Sequence, residues 1–300
     1  IVSDLSLGRR NFVKNFYPKV DVTPNFEDII NNPKVDAVII ATPVATHFEI
    51  AIKCLEKNKN ILVEKPMAKS SSEVREIKRL ANKKNLVAMV GHTFLYNSAV
   101  KYVKKLIDSG DLGELRYIYS QRLNLGRIRK DVDALWSLGP HDISIVQYWL
   151  NNIEPVKISR FGNSYVQKGI DDVVFLNIEY PNNVMANIHV SWLDPHKVRK
   201  MTIVGSKKMV EYDDIAENKI TIFDKGIERE AILGQNMDYD NPTTFNFNHR
   251  FGDSHVPKIE WVEPLSNEIS HFLDCIKNSK KCLTGPSHAE SVVKILERSS

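Results

Sequence analysis

Two residues in this 300-residue sequence stand where proton chemistry would need them. Lys65 leaves a short apolar run, Ile61 to Val63, within Glu64-Lys65-Pro66. A lysine at the mouth of a buried strand works in one of two ways. Burial lowers its pKa and fits it for proton transfer, or a partner keeps it charged to hold a hydroxyl oxygen. His141 follows Gly139-Pro140 and precedes Asp142, at the start of a helix expected over Pro140 to Leu150. The positive end of such a helix disfavours imidazolium, which predicts a neutral ring able to accept a proton. A solvated loop lysine and a helix-start histidine bonded to a neighbouring loop are the structural alternatives.

Other candidates cluster after strand-like runs, where parallel sheets bind ligands. Asp4 ends the opening strand fragment and could take both hydroxyls of an adenosine ribose, or cap the helix that follows. Arg9 and Arg10 beside it would suit a 2′-phosphate. Thr42 and Pro43 follow the next run, Glu64 and Lys65 the third, and Gly91-His92 the fourth. His47 opens the helix after Thr42-Pro43 and reads as a packing residue on the cofactor side. Arg122, Asn124, Arg127, Arg129 and Lys130 put four cations in nine residues, suited to a diphosphate or carboxylate or to an ordinary solvated loop. The remaining histidines show no metal-ligand spacing and read as structural or surface.

Elements must position these groups. Val35 to Thr42, Ile61 to Val63 and Leu86 to Val90 are apolar runs without alternation, which suggests strands covered on both faces of a parallel sheet. Helical patterns lie between them over His47 to Asn58 and Ser70 to Asn85, the latter opening with Ser70 and Glu73 at capping-box spacing. After Gly91 a helix over Asn97 to Ser109 leads into strands at Leu115–Leu123, Val173–Tyr180, Val184–Leu193, Val198–Val204 and Lys219–Phe223, whose turns suggest antiparallel connections. Gly226 to Pro257 has no clear period and is expected to be a long loop or interface arm. Helices over Ser266 to Asn278 and Ser287 to Arg298 close the chain. The expected layout is an α/β Rossmann-like dinucleotide-binding domain over 1–93 and an α+β domain with a mainly antiparallel sheet over 94–300, the latter for substrate binding and oligomerisation.

Composition excludes several classes. Hydrophobic residues make up 42% and charged residues 26%, so disordered and fibrous chains are out. A net charge of +4 without interleaved aromatics argues against nucleic acid. The longest apolar runs fall far short of the roughly 20 residues of a membrane span. Three cysteines without pairing spacing suggest a reducing, cytoplasmic setting.

Asp36 to Ala51 (DAVIIATPVATHFEIA), Ile61 to Ala68 (ILVEKPMA), Gly91 to Asn97 (GHTFLYN) and Ala134 to Ile145 (ALWSLGPHDISI) together resemble the Gfo/Idh/MocA family of nicotinamide-dependent sugar oxidoreductases. GHTFLYN, YSQRLNLGRIRKD, LWSLGPHDIS and EPLSNEISHFLDCI resemble the branch that oxidises the 3-hydroxyl of UDP-N-acetylglucosamine or its uronic acid. The resemblance implies NAD, with NADP as the alternative, a nucleotide-sugar or polyol substrate, and a homodimer or homotetramer. It makes Lys65 and His141 the catalytic pair. Asp4, Thr42, Pro43, His47, Glu64, Lys65, His92 and Trp136 would line the cofactor. Lys65, Tyr96, Asn97, Arg122, Asn124, Arg129, His141 and Asp142 would face the substrate. Two departures stand out. Many members carry Asp four residues before the histidine, where this chain has Ser137. The family's first strand and Gly-rich phosphate loop would precede Ile1, so only part of the cofactor site is expected here. A non-catalytic nucleotide-sugar or dinucleotide sensor, an inositol-type dehydrogenase, and an isomerase or glycosidase using transient oxidation are the competing functions.

Overall fold

The computed structural model describes residues 1–231 and 245–299, and the chain divides into two compact units, residues 1–93 with 265–297 and residues 94–264 with 298–300. The first unit alternates strands and helices: β1 (Val2–Ser3), α1 (Leu7–Phe16), β2 (Val22–Thr23), α2 (Glu27–Ile30), β3 (Ala37–Ile40), α3 (His47–Glu56), β4 (Asn60–Glu64), α4 (Ser71–Lys84) and β5 (Ala88–Gly91). β1 pairs with β2, and β3-β4-β5 form a second sheet, every pairing parallel. The register aligns Ile40 with Val63 and Val63 with Val90, so β3, β4 and β5 end at one edge. Ile61, Val63, Met89 and Val90 are fully buried, as strands covered on both faces require. Ser70 caps α4 by accepting the Glu73 N–H at 3.2 Å, and left-handed Asn85 ends it.

The second unit opens with α5 (Ser98–Asp108), capped by the Asn97 side chain, then β6 (Leu115–Leu125) and α6 (Ala134–Trp149). β7 (Lys157–Asn163), β8 (Val173–Glu179), β9 (Met185–Ser191), β10 (Leu193–Gly205), β11 (Met209–Asp213), β12 (Ile220–Ala231) and β13 (Phe245–His255) follow. They form one eight-stranded sheet in the order β13-β12-β11-β10-β6-β9-β8-β7, antiparallel except where β6 meets β9. Alternation in β6 sends Ile118, Ser120 and Arg122 into the buried face and leaves Tyr117 exposed on the other. Helix α6 packs on β6, β8 and β9 and is tied to α5 by the Trp149 indole N–H, which donates to Val100 O at 3.0 Å.

α7 (Pro264–Asn278) and α8 (Pro286–Arg298) end the chain. The sequence layout put both in the second domain, but residues 265–297 belong to the first unit. Long-range bonds explain this: Val90 N–H donates to Thr284 O at 2.9 Å, Thr93 Oγ1 to Glu268 Oε2 at 2.8 Å, and Ser71 N–H to Glu297 Oε1 at 3.0 Å. Glu290, expected as a capping-box partner of Ser287, instead pairs with Arg75 at 3.3 Å.

Two further expectations are corrected. The stretch 226–257 is not all loop, because residues 226–231 and 245–255 pair as antiparallel strands; the intervening 232–244 lie outside the described residues. Helix α6 begins at Ala134, not Pro140: Asp133 caps it by accepting the Trp136 N–H at 2.8 Å, and Pro140 lies inside it. A proline inside a helix forfeits one backbone bond. The helix runs on because most residues from Gly139 to Trp149 are buried against the sheet. Among the described residues no helix is long and apolar enough to cross a membrane.

Candidate functional site

In the first unit the candidates gather where β3, β4 and β5 end. His47, fully within the core, reaches back across two loops: Nδ1 lies 2.9 Å from Pro66 O and Nε2 lies 2.7 Å from Thr42 O. Carbonyl oxygens only accept, so each bond forms when the ring nitrogen facing it carries the proton. The ring thereby ties the loop after β3 to the Glu64-Lys65-Pro66 loop after β4. His47→Leu is expected to strand the Pro66 carbonyl, cost about 1–3 kcal/mol of stability in the first unit, and weaken NAD binding. Hydrogen exchange at β3 and β4 together with an NAD titration checks it; unchanged exchange and affinity would contradict it.

Glu64 accepts the Lys65 N–H at 3.2 Å, and a Cβ at Gly91 would sit 3.4 Å from Glu64 Oε2, so glycine keeps β5 close to that carboxylate. Thr42 and Pro43 are exposed beside them, with the Thr46 hydroxyl 2.8 Å from Thr42 Oγ1. His92 is buried, and its ring meets His288 of α8 edge-on at 5.3 Å between centroids. Burial, then the neighbouring His288 and Lys65, hold the His92 pKa well below the usual histidine value. Burial alone pushes His288 down to about 4.

These two buried neutral histidines make the first unit acid-sensitive. The unfolded chain takes up protons below about 6.5, whereas folded His288 resists until about 4. Stability is therefore fully present above pH 6.5 and is lost as pH falls from 6.5 towards 4, by up to about 3 kcal/mol from His288. Calorimetry across that range should show a smaller decline in His288→Leu. An identical decline would remove His288 as the cause.

Asp4 stands between β1 and α1. Its Oδ1 accepts the Ser6 N–H at 2.7 Å, and Oδ2 has Arg9 3.9 Å away. Oδ1 is thus bound into the turn before α1, Oδ2 faces Arg9, and the cap of the helix itself is Ser6, whose side chain accepts the Arg9 N–H. Arg10 is committed to backbone, donating to Asp4 O at 2.6 Å and Leu5 O at 2.9 Å. An acid after a strand, hydroxyl and carboxylate groups at neighbouring strand ends, and a half-exposed lysine fit the ribose and nicotinamide ends of a dinucleotide. A glycine-rich strand-to-helix turn for the pyrophosphate is not among the described residues.

The second unit holds the rest. His141 is half-buried in the middle of α6, two turns from its start, so the helix-terminus argument for a neutral ring does not apply there. Its ring meets Phe94 at 5.1 Å and 70°. Arg122 and Asp142 face each other inside the unit as a two-pronged ion pair, Nε to Oδ2 at 2.7 Å and Nη2 to Oδ1 at 2.9 Å. Burial works against the Arg122 charge, but Asp142 outweighs it and raises the pKa, with Tyr212 and Asp214 adding to the same direction. Asn97 caps α5 and donates to Tyr212 Oη and Asp214 Oδ1, each at 3.3 Å, while the Tyr212 hydroxyl donates to Asp214 Oδ1 at 2.9 Å. Burial raises the Tyr212 pKa, and Asp214 adds to it.

The expected substrate set therefore splits. Arg122, Asn97, Asp142 and buried Tyr96 are engaged inside the unit. Asn124 and Arg129 sit at the open end of β6 and beyond, with Arg129 paired to Asp131 at 2.6 Å. Trp136, read as a cofactor contact, lies on the first turn of α6 in the second unit. Sequence reasoning missed Phe94, Tyr212, Asp214, Glu268 and the His288 contact with His92. The β6 alternation, which puts Arg122 on the same face as Ile118, was the available signal for an inward arginine.

A parallel, nucleotide-type sheet in one unit and a mainly antiparallel sheet in the other are the architecture of a Rossmann domain joined to a C-terminal sheet domain. Residues 4–92 match the model of the oxidoreductase family with NAD-binding Rossmann fold, residues 100–211 match the GFO/IDH/MocA C-terminal domain, and the chain belongs to the Gfo/Idh/MocA family. Among curated relatives, 2,7-anhydro-N-acetylneuraminate hydratase of Mediterraneibacter gnavus is 24% identical over 286 residues, covering 91% of this chain and 75% of the relative. The NADP(+)-dependent scyllo-inositol 2-dehydrogenase IolW of Bacillus subtilis is 30% identical over 135 residues, 45% of this chain and 37% of that protein. Among solved structures, UDP-N-acetylglucosamine 3-dehydrogenase GnnA from Acidithiobacillus ferrooxidans superposes with a TM-score of 0.81 at 21% identity, covering 99% of this chain and 87% of that one.

Proposed function

We propose that the chain is a nicotinamide-dependent dehydrogenase oxidising the 3-hydroxyl of a UDP-N-acetylhexosamine or its uronic acid. The observation that carries this is the presence, in one chain, of an NAD-binding Rossmann unit with Lys65 at a strand mouth and a second unit with half-buried His141 on a core helix. The likeness to a UDP-N-acetylglucosamine 3-dehydrogenase supports the choice of sugar. His141 accepts the proton of the sugar hydroxyl, and Lys65 holds and polarises its oxygen. The bound cofactor supplies the hydride acceptor. Asn124 and Arg129 are the residues proposed for the anionic part of the substrate, and the Asp4 carboxylate directly after β1 favours NAD over NADP.

A relative named as a scyllo-inositol dehydrogenase supports a polyol instead, and one named as a hydratase supports a reaction with no net reduction of cofactor. One assay separates these. The protein is incubated with NAD or NADP and UDP-N-acetylglucosamine, its uronic acid or scyllo-inositol, while reduced-cofactor absorbance and products are followed. Reduction with the nucleotide sugars supports the proposal, reduction with inositol alone moves it to polyols, and product without reduction indicates a reaction with no net redox change. Neither product nor reduction with any of them leaves a binding protein.

We further propose self-association through the open face of the eight-stranded sheet, where Phe161, Phe175 and Tyr117 are exposed and Phe161 lies opposite Phe175 in register. Phe161→Glu is expected to lower the mass measured by light scattering to that of one chain; an unchanged mass would reject this face.

A further inference from the structure

The His141 ring has a neighbour with a support of its own. Phe94 is half-buried, and the Arg122 guanidinium carbon lies 4.6 Å from its ring centre, within reach of a cation–π contact. Phe94 also meets the imidazole at 5.1 Å and 70°, the edge-to-face geometry that aromatic pairs prefer. Arg122 cannot drift, because Asp142 holds two of its nitrogens, and Asp142 follows His141 directly on α6. Phe94, Arg122, Asp142 and His141 thus close a ring of contacts that returns to the helix it started from. Arg122 is 6% exposed and Asp142 2%, so neither is placed to meet a substrate. Ser137, one turn before His141 and on the same helix face, bears no charge that could orient the imidazole electrostatically.

We propose that Phe94, clamped by the Arg122–Asp142 pair, is the positioning residue for the His141 imidazole. The ion pair fixes the Phe94 ring, and the Phe94 ring in turn fixes the plane of the imidazole. The inference rests on His141 being the base proposed above, and its test separates the two.

The imidazole ¹⁵N signals of His141 are recorded in the full chain without substrate and identified by their loss in His141→Asn. Phe94→Leu, or Phe94→Met if the leucine variant does not fold, is expected to shift and broaden those signals. Phe94→Tyr, which keeps the ring, is expected to restore them. In the turnover assay the ring-less variant is expected to lose about tenfold in kcat with KM for sugar and NAD unchanged, as misplacement of a catalytic group costs rate rather than binding. His141 signals identical to the parent's in both ring-less variants overturn the proposal whatever the rate does. Signals that move while kcat stays constant uphold the positioning and overturn the assignment of His141 as base.

Discussion

His141→Asn is expected to lower kcat by about a hundredfold to ten-thousandfold, the range that a positioned general base supplies, while NAD binds with unchanged affinity. Asparagine keeps a polar group of similar reach but cannot take up a proton. NAD affinity is the control, because the Rossmann unit that binds the cofactor spans the other part of the chain, residues 1–93 with 265–297. Lys65→Met is expected to lower kcat comparably, since methionine preserves the aliphatic stem and removes the charge proposed to hold the substrate oxygen. Lys65 lies at the cofactor-side strand ends, so its variant has a second readout: a modest change in NAD affinity is tolerable, but an unchanged kcat is not. Steady-state kinetics with the substrate found in the reduction assay decide both. Turnover within threefold of the parent in either variant removes that residue from the mechanism.

The positions of these two residues in the fold are legible in the sequence at different depths. Glu64-Lys65-Pro66 follows an apolar run, and a strand covered on both faces leaves little choice but to deliver the next residues to the sheet edge. His141 was found by its motif but misplaced in its helix. Proline commonly opens helices, so Pro140 looked like a start, whereas the true start is set by Asp133 reaching Trp136, a cap with nothing to distinguish it locally from other loop aspartates. Arg122 was read from the cation density around it, yet strand alternation governs where it points, and the loop cations Arg127 and Lys130 that share its segment are exposed. The return of α7 and α8 to the first unit left no local trace. It depends on pairings such as Thr93 with Glu268 and Ser71 with Glu297, separated by 175 and 226 residues.

The Arg122–Asp142 pair carries the largest expected stability effect. Asp142→Asn takes from a buried guanidinium its directly bonded counter-charge, leaving the weaker influence of Asp214, and a guanidinium cannot shed its proton to escape the cost. Breaking a buried pair in this way costs about 3–5 kcal/mol. Arg122→Met is expected to cost less, because the stranded carboxylate can neutralise itself by taking up a proton. Replacing both, Arg122→Met with Asp142→Leu, removes the desolvation penalty together with the attraction, and such replacements are often neutral or stabilising. The order of stability is therefore parent and double variant highest, Arg122→Met between, Asp142→Asn lowest. The molecule supplies a selective probe: all four tryptophans, Trp136, Trp149, Trp192 and Trp261, lie in the second unit, so fluorescence-detected urea unfolding follows that unit alone. A loss below about 1 kcal/mol in Asp142→Asn would mean that water reaches the guanidinium and that the pair is not the clamp described. A stable double variant with displaced His141 signals would separate the two roles of the pair, showing that its charges hold Phe94 in place rather than the fold together.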